Sequence, residues 1–217
     1  NLGVMHSKGE GGPVSKEKAR LWYEKAAEQG HLKAQYNLGV LHDKGEGGLP
    51  VSKEKARLWW EKSAEQGHPR AQYNLGVLHA NGEGGPVSKE KARVWYEKSA
   101  EQRYPDAQYN LGLMHSKGEG GPVSKEKARV WYEKAAEQGH LKAQFNLAFM
   151  HSNGEGGPVS QEHCLFWMTA LADEQGYEQA TTALETVQSV CFSCGKTGNM
   201  KCCARCKCAY YCSRECQ

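Results

Sequence analysis

One stretch recurs along most of this chain, and its period restricts the folds that the chain can adopt. The cleanest copy begins at Asn110 and reads NLGLMHSKGEGGPVSKEKARVWYEKAAEQGHLKAQF. Similar copies begin at Asn1, Asn37, Asn74 and Asn146. Repeats of this length are typical of solenoids, in which each unit packs against its neighbours in the chain. The extra residue of the second copy, Leu49, falls in the Gly/Pro-rich segment, where a loop tolerates an insertion.

Each copy is predicted to form two helices. Ser124 is suited to cap the second helix, and Glu126 follows in the first turn, where the helix dipole favours an anion. Apolar residues then recur at helical spacing at Ala128, Trp131, Ala135 and Ala136. Gly139 ends this helix. The next helix is expected from about residue 141 to about residue 151, with one apolar face formed by Ala143, Leu147 and Met150.

The repeated residues resemble the Sel1-like repeat, a relative of the tetratricopeptide repeat. The match in the fourth copy comprises Ala107, Leu111, Gly112, Gly118, Gly120, Gly121, Lys127, Ala128, Trp131, Lys134, Ala135, Ala136, Glu137 and Gly139. The resemblance implies an all-α fold, a right-handed α/α solenoid over residues 1–188. Its repeats start near residues 1, 37, 74, 110 and 146, and a capping helix is expected at about 177–188.

Two ladders of identical residues are predicted to hold the repeats together. One aromatic position per copy is expected to pack in the core, as large aromatic side chains do in such interfaces; it comprises Trp22, Trp59, Trp95, Trp131 and Trp167. A glycine on the first helix permits close helix approach at Gly3, Gly39, Gly76 and Gly112, and the fifth copy has Ala148 there.

A histidine recurs at His6, His42, His79, His115 and His151. One interpretation is a row of metal ligands or a pH sensor. The other is a half-buried side chain that is hydrogen-bonded within the stack. Neighbouring repeats lie about 10 Å apart, so adjacent histidines are too distant to share one zinc ion. The structural interpretation is therefore preferred.

Asparagine recurs at the same point of the first helix, at Asn37, Asn74, Asn110 and Asn146. The amides either form a network between repeats or clamp the backbone of an extended peptide. Asparagine is a weak helix former, so its recurrence favours the clamp. We therefore predict these four residues as partner-binding residues.

Eight of the nine cysteines lie between Cys191 and Cys216, a cluster that indicates metal binding rather than scattered disulfides. Cys191 and Cys194, Cys203 and Cys206, and Cys212 and Cys216 form short pairs suited to tetrahedral zinc. A module of this size cannot build a useful hydrophobic core, so metal must supply its folding energy. Reduced thiolates favour an intracellular location, cytoplasmic or nuclear.

The segment 189–217 resembles a MYND-type zinc finger, with the string Tyr-Cys-Ser-Arg-Glu-Cys-Gln at its end. The resemblance implies that Cys191, Cys194, Cys212 and Cys216 hold a first zinc ion and that Cys203 and Cys206 hold half of a second. The family pattern continues with a His and a Cys, so we expect the chain to continue beyond Gln217. Alternatively, Cys202 or Cys208 completes the second site. The first site, with four thiolates, is closed and therefore structural.

These features predict a protein-interaction scaffold or adaptor that binds protein segments through both the solenoid and the finger. MYND fingers bind proline-containing peptides, which the resemblance implies here. A nucleic-acid-binding or chromatin-associated regulator is the alternative, because the finger is basic. Its stacking aromatics are few, and no helix long enough to enter a groove accompanies it. No nucleophile motif, nucleotide loop or H-E-x-x-H motif occurs, so we do not predict an enzyme.

Overall fold

The structure, a computed structural model, describes residues 2–9, 13–175, 201–202 and 210–211. Ten α-helices follow one another in this part of the chain: α1 (Leu2–Lys8), α2 (Lys16–Glu28), α3 (Leu32–Lys44), α4 (Lys53–Glu65), α5 (Pro69–Asn81), α6 (Lys89–Glu101), α7 (Pro105–Lys117), α8 (Lys125–Ala136), α9 (Leu141–Asn153) and α10 (Gln161–Gln175). Two short strands, β1 (Lys201–Cys202) and β2 (Tyr210–Tyr211), pair in antiparallel register, with Lys201 opposite Tyr211. We call the odd-numbered helices first helices and the even-numbered ones second helices.

The chain divides into two compact units. Unit 1 comprises Asn1–Met114 and Gly118–Pro122, and unit 2 comprises His115–Lys117 and Val123–Gln217. In unit 1, each helix from α1 to α5 packs against the helix that follows it. In unit 2, α8 packs against α9 and α9 packs against α10. This succession of helix pairs confirms the predicted all-α repeat architecture. The predicted capping helix at 177–188 and the domain boundary at residue 188 lie outside the described residues.

Local sequence signals set the helix ends. Each of α2, α4, α6 and α8 begins after a serine whose hydroxyl accepts a hydrogen bond from the backbone N–H three residues later, which satisfies a donor that the helix cannot; these are Ser15, Ser52, Ser88 and Ser124. First helices α3, α5, α7 and α9 end at glycines with left-handed φ of 68 to 74°, namely Gly45, Gly82, Gly118 and Gly154. The predicted cap at Ser124 is therefore confirmed.

The tryptophan ladder does not occupy the core, so that prediction was wrong. The deeply buried position is the next residue along the helix, with 2 to 7% exposed surface at Tyr23, Trp60, Tyr96 and Tyr132. Trp22 is 41% exposed, and Trp59 and Trp95 pack at the core edge. A lysine ammonium covers four of the five rings, 4.1 to 5.4 Å from the centroid, in the pairs Lys25–Trp22, Lys62–Trp59, Lys98–Trp95 and Lys134–Trp131.

The glycine ladder faces these buried rings, as the predicted close approach requires. A Cβ atom on Gly76 would lie 2.5 Å from Tyr96 Cδ1, and one on Gly3 would lie 2.6 Å from Tyr23 Cε1. In the fifth repeat the first helix carries Ala148 instead. Ala148 packs in a cluster with Met168, the residue that replaces the buried ring there. The larger residue on α9, alanine in place of glycine, thus accompanies a narrower and more flexible side chain on α10, methionine in place of an aromatic ring.

The loop after each first helix binds the second helix of the preceding repeat. Ion pairs join the first residue of a second helix to the loop glutamate in Lys16–Glu46, Lys53–Glu83, Lys89–Glu119 and Lys125–Glu155. Arg20 Nη1 donates to Gly47 O at 2.9 Å, and Arg57 Nη1 donates to Gly84 O at 3.4 Å. The repeated lysines and glutamates thus include contacts between repeats as well as a solvated face. The loop motif G-E-G-G is a connection between repeats.

A buried glutamine in each of the first helices α3, α5, α7 and α9 adds a second polar connection. Its Nε2 donates at 3.1 to 3.2 Å to the carbonyl of an alanine on the preceding second helix, in the pairs Gln35–Ala27, Gln72–Ala64, Gln108–Ala100 and Gln144–Ala136. In unit 1, Gln66 and Gln102 also donate to the Oε1 atoms of Gln35 and Gln72, each at 2.7 Å. The Nε2 atoms bonded in this way help to fix which helix faces meet, although Gln144 Oε1 has no hydrogen-bond partner among the described residues.

Candidate protein-interaction face

The first helices of unit 1, together with the residue that precedes α7, carry a row of exposed or half-buried polar and aromatic side chains. We call this row the first-helix face and define it as Lys33, Tyr36, Asn37, Arg70, Tyr73, Asn74, Tyr104, Asp106 and Asn110. Its backbone is rigid, because the other side of α3 buries Ala34, Leu38 and Leu41. A face on rigid helices holds side chains at fixed spacing.

Aromatic rings at this face contact one another from one repeat to the next. The Tyr36 and His68 rings are stacked, 4.7 Å apart and nearly parallel, whereas the Tyr73 and Tyr104 rings lie 5.2 Å apart and are tilted by 57°. His68 Nδ1 also accepts a hydrogen bond from Ala71 N at 3.3 Å, which caps α5. Burial lowers the pKa of His68, and Arg70 and Lys33 lower it further, so the ring is neutral at pH 7 and remains an acceptor.

The predicted asparagine residues lie on this face and differ in their bonding. Asn110 hydrogen-bonds the side chains of Tyr73 and Tyr96. Burial is the main reason that the pKa of Tyr73 lies above its ordinary value. Asn37 and Asn74 are half-buried, and their amides have no hydrogen-bond partner among the described residues. Asn146 lies at the corresponding point of α9 in unit 2 and is also half-buried.

The histidine ladder is more deeply buried than predicted. His42, His79, His115 and His151 are only 3 to 6% exposed, and their backbone carbonyls accept hydrogen bonds from the serine caps of the following helices. Burial and then Lys55 lower the pKa of His42, and burial and then Arg57 lower that of His79. Both rings are therefore neutral at pH 7. Their Nδ1 atoms have no hydrogen-bond partner among the described residues.

His151 in unit 2 has a different environment. Arg129 Nη2 lies 2.7 Å from its Nδ1, and the His163 ring stacks on it at 4.8 Å between centroids. Burial, Arg129 and His163 together lower the pKa of His151 to about 4. The predicted alternative of a row of metal ligands gains no support, because the described residues contain no cluster of three or more suitable side chains.

The predicted zinc ligands Cys191, Cys194, Cys203, Cys206, Cys212 and Cys216 lie outside the described residues, as does Cys208. Cys202 lies in β1. Cys164 is buried in α10, where burial raises the pKa of its thiol. Within the described part of the chain, none of the helices has both the length and the apolar character needed to cross a lipid bilayer.

The paired helices, the repeating contacts between them and the regular face define an α-helical repeat protein. Five consecutive matches to the Sel1 repeat family cover residues 1–31, 32–68, 69–104, 105–140 and 141–175. The chain therefore belongs to the Sel1 repeat family. A comparison with curated proteins finds no match.

Solved structures agree with this assignment. The chain is 33% identical to c5321, a protective antigen of uropathogenic Escherichia coli with an SLR fold, over 87% of this chain and 40% of that one, with a TM-score of 0.83. It thus spans about two fifths of that protein's length. A Sel1 repeat protein from Oxalobacter formigenes is also 33% identical, over 86% of this chain and 74% of that one, with a TM-score of 0.76. Sel1 repeat proteins are generally scaffolds for protein interaction and are typically not enzymes.

Proposed function

We propose that this protein is a scaffold whose first-helix face binds an extended segment of a partner protein. The observation that carries the proposal is the pair of free, half-buried amides at Asn37 and Asn74, one repeat apart on neighbouring rigid helices. An amide group can donate to and accept from a peptide backbone at the same time. Two such groups at fixed spacing match the repeating donors and acceptors of an extended chain.

The aromatic contacts support the same function. Tyr36 and Tyr73 offer apolar surface next to the two amides, and the neighbouring rings of His68 and Tyr104 hold them in place. Rigid aromatic side chains provide contact area at low cost in conformational entropy, which is why they are enriched where proteins bind. In this arrangement Asn110 acts by positioning the Tyr73 hydroxyl. In unit 2, taken by itself, Asn146 is also a proposed partner-binding residue.

A peptide selection tests the proposal. Random peptides of about 12 residues, long enough to span three repeats at about 3.3 Å per residue, are displayed and selected on the full chain. Binding of a selected peptide should weaken about tenfold in Asn74→Ala, because one lost hydrogen bond in a partly desolvated site is worth about 1.4 kcal/mol. The matched control is Gln29→Ala, which removes an exposed amide at the end of α2. Equal binding by both variants would contradict the proposal.

We further propose that the C-terminal segment is a MYND-type finger, which binds proline-containing protein segments and whose first zinc ion is structural. The donor set supports this proposal, because Cys191, Cys194, Cys212 and Cys216 would surround zinc with four thiolates and leave no open position. Cys203 and Cys206 would hold half of a second zinc ion. Thiolates that remain reduced for metal binding favour an intracellular location, in the cytoplasm or nucleus.

Native mass spectrometry of the full chain tests the zinc proposal. We expect one zinc ion per chain, loss of that ion in Cys191→Ser, and retention in the control Cys164→Ser, which changes the buried thiol of α10. Two zinc ions in this chain would show that Cys202 or Cys208 completes the second site. Disulfides without zinc would contradict both the finger and the intracellular location.

A further inference from the structure

The turn between α6 and α7 departs from the other repeats in three of four consecutive residues. At the corresponding turns the chain has a glycine followed by a histidine, in Gly30-His31, Gly67-His68 and Gly139-His140. Here it has Arg103 and Tyr104. Two residues later, α7 carries Asp106, whereas the other copies carry a cation at this position, in Lys33, Arg70 and Lys142. In a chain of nearly identical repeats, such a departure marks a position with its own role.

The departure weakens the local structure. Arg103 has φ of 64°, in the left-handed region, where the glycines at the equivalent positions have φ of 79 to 91°. A side chain with a Cβ atom is strained in this region, and strained residues concentrate at functional sites. Tyr104 precedes α7 without a side-chain cap, whereas His68 and His140 cap α5 and α9 through Nδ1. The turn therefore lacks the glycine that the other three turns keep, and like the turn at His31 it lacks the side-chain cap found before α5 and α9.

The changed residues place the acidic side chain of Asp106 beside the aromatic pair Tyr73 and Tyr104. The Tyr104 ring lies against the Tyr73 ring in a tilted arrangement, and its hydroxyl donates its hydrogen to Asp106. Burial, together with Asp106, raises the pKa of Tyr104 to about 12, so the hydroxyl remains a donor at pH 7. The second residues of α3, α5 and α7 are Lys33, Arg70 and Asp106. Along the first-helix face they are therefore basic, basic and acidic in turn. Lys33 and Arg70 make no ion pair among the described residues.

We propose that Lys33, Arg70 and Asp106 select a partner segment that carries two acidic residues and then a basic one, at intervals of three residues. This proposal rests on the proposed function, since it concerns the same face. If successive first helices have the usual spacing of stacked helices, about 10 Å, three residues of an extended chain at about 3.3 Å each span the same length. One side chain of the segment thus meets one repeat. Complementary charges at an interface fix register and exclude wrong partners.

Three synthetic peptides of equal length test the charge order by fluorescence anisotropy with the full chain. Two carry Asp-x-x-Asp-x-x-Lys and its reverse, Lys-x-x-Asp-x-x-Asp, because the direction of binding is open. The third, Asp-x-x-Lys-x-x-Asp, has the same composition and net charge but the wrong order. We expect one of the first two to bind about tenfold more tightly than the third, with a smaller difference at high salt, where charges are screened.

Two variants complete the test. Asp106→Lys restores the residue type of the other repeats, and it should shift the preference to a peptide with three acidic residues. Arg103→Gly restores the turn glycine, and it should leave the charge preference unchanged because Lys33, Arg70 and Asp106 are intact. Equal binding of all three peptides, or an unchanged preference in Asp106→Lys, would overturn the charge order while leaving the binding face in place. If no peptide binds and none can be selected, both the charge order and the proposed function fail.

Discussion

At the scale of single residues, the side chain at one position of each first helix sets how closely the second helix can approach. Gly76 faces the ring of Tyr96 with no room for a Cβ atom, and the fifth repeat resolves the same contact with Ala148 and Met168. The ring and the glycine are therefore coupled, and each is tolerated because of the other. This coupling explains why glycine, a weak helix former, stands inside the first helices.

Gly76→Ala should destabilise the protein by about 2 kcal/mol, because the added methyl group overlaps a buried ring. Adding Tyr96→Met should recover part of that loss, as the natural Ala148–Met168 pair does, so the double-mutant cycle should show coupling of about 1 kcal/mol. Chemical denaturation of the four proteins measures both quantities. The comparison variant Ala148→Gly should cost about 1 kcal/mol through helix propensity and about 0.8 kcal/mol through the loss of a buried methyl group. Additive effects in the cycle would contradict the coupling.

The environment of His151 gives a second prediction at this scale. The folded-state pKa of about 4 lies below the ordinary value of 6.5, so the unfolded chain binds a proton more readily than the folded chain. The stability from the neutral ring is therefore complete above pH 6.5 and is lost as the pH falls from 6.5 towards 4. An NMR titration of the His151 imidazole should give a midpoint near the lower value.

Arg129→Gln removes the cation that lies against His151 Nδ1 and should raise the pKa of His151 towards its ordinary value. Burial and His163 remain in this variant, so the rise should be partial. A wild-type midpoint near the ordinary value for histidine would show that the ring is not held in this environment.

At the scale of helices and loops, the loop after each first helix connects two repeats. The positive φ of Gly84 is only part of its role, because a Cβ atom there would lie 2.6 Å from the Lys53 carbonyl oxygen on the preceding second helix. Gly67 has φ of 91° but no atom within 4 Å of the same position. A comparison of the two glycines therefore distinguishes the energetic cost of backbone strain from the cost of losing contact between repeats.

Gly67→Ala should cost about 1 kcal/mol through backbone strain alone. Gly84→Ala should cost about 2 kcal/mol more, because the loop must also move away from α4 and disturb the hydrogen bond from Arg57. Thermal and chemical unfolding of the two variants measure the difference. If both variants lose the same stability, the loop does not contribute the connection between repeats that we describe.

The sequence predicted these elements well where one local signal decides the outcome. The period, the Ser124 cap and the buried stripe of Ala143, Leu147 and Met150 are confirmed. The sequence analysis assigned the core aromatic to Trp131 instead of Tyr132. Both adjacent aromatic residues fit a helical period, so the spacing of apolar residues alone does not distinguish them. The sequence pattern also gives no indication of which residues the buried glutamines bond. The Gln35–Ala27 and Gln66–Gln35 bonds depend on how the helices pack, which no single repeat contains.

The proposed binding residues were easier to find than to assign a role. The recurrence of Asn37, Asn74 and Asn110 singled them out from the sequence, whereas their bonding differs with the neighbouring side chain. Asn110 meets the hydroxyls of Tyr73 and Tyr96. The residue that corresponds to Tyr96 in the preceding repeat is Trp60, whose indole N–H donates to the Tyr36 carbonyl instead. At Asn74 the hydroxyl that Tyr96 offers to Asn110 is therefore absent, whereas at Asn37 the corresponding hydroxyl, that of Tyr23, bonds Ser7 instead.

At the scale of the whole molecule, the first helices and the second helices have different roles. The loops and second helices carry most of the polar contacts that join repeats, through the lysine–glutamate pairs and the arginine bonds to loop carbonyls. In unit 1 this leaves one side of the first helices available to a partner. A repeat protein of this kind holds its face rigid through contacts between neighbours alone. Binding should therefore require little rearrangement of the chain.

Photo-crosslinking tests this division most directly. A peptide selected on the full chain carries a benzophenone side chain, and mass spectrometry locates the residues to which it attaches. We predict attachment within α3 and α5 and within the first part of α7, next to Asn37, Asn74 and Asp106. Attachment instead to the exposed apolar residues of the second helices, at Leu21, Leu58 and Val94, would contradict the central claim that the first helices form the binding face.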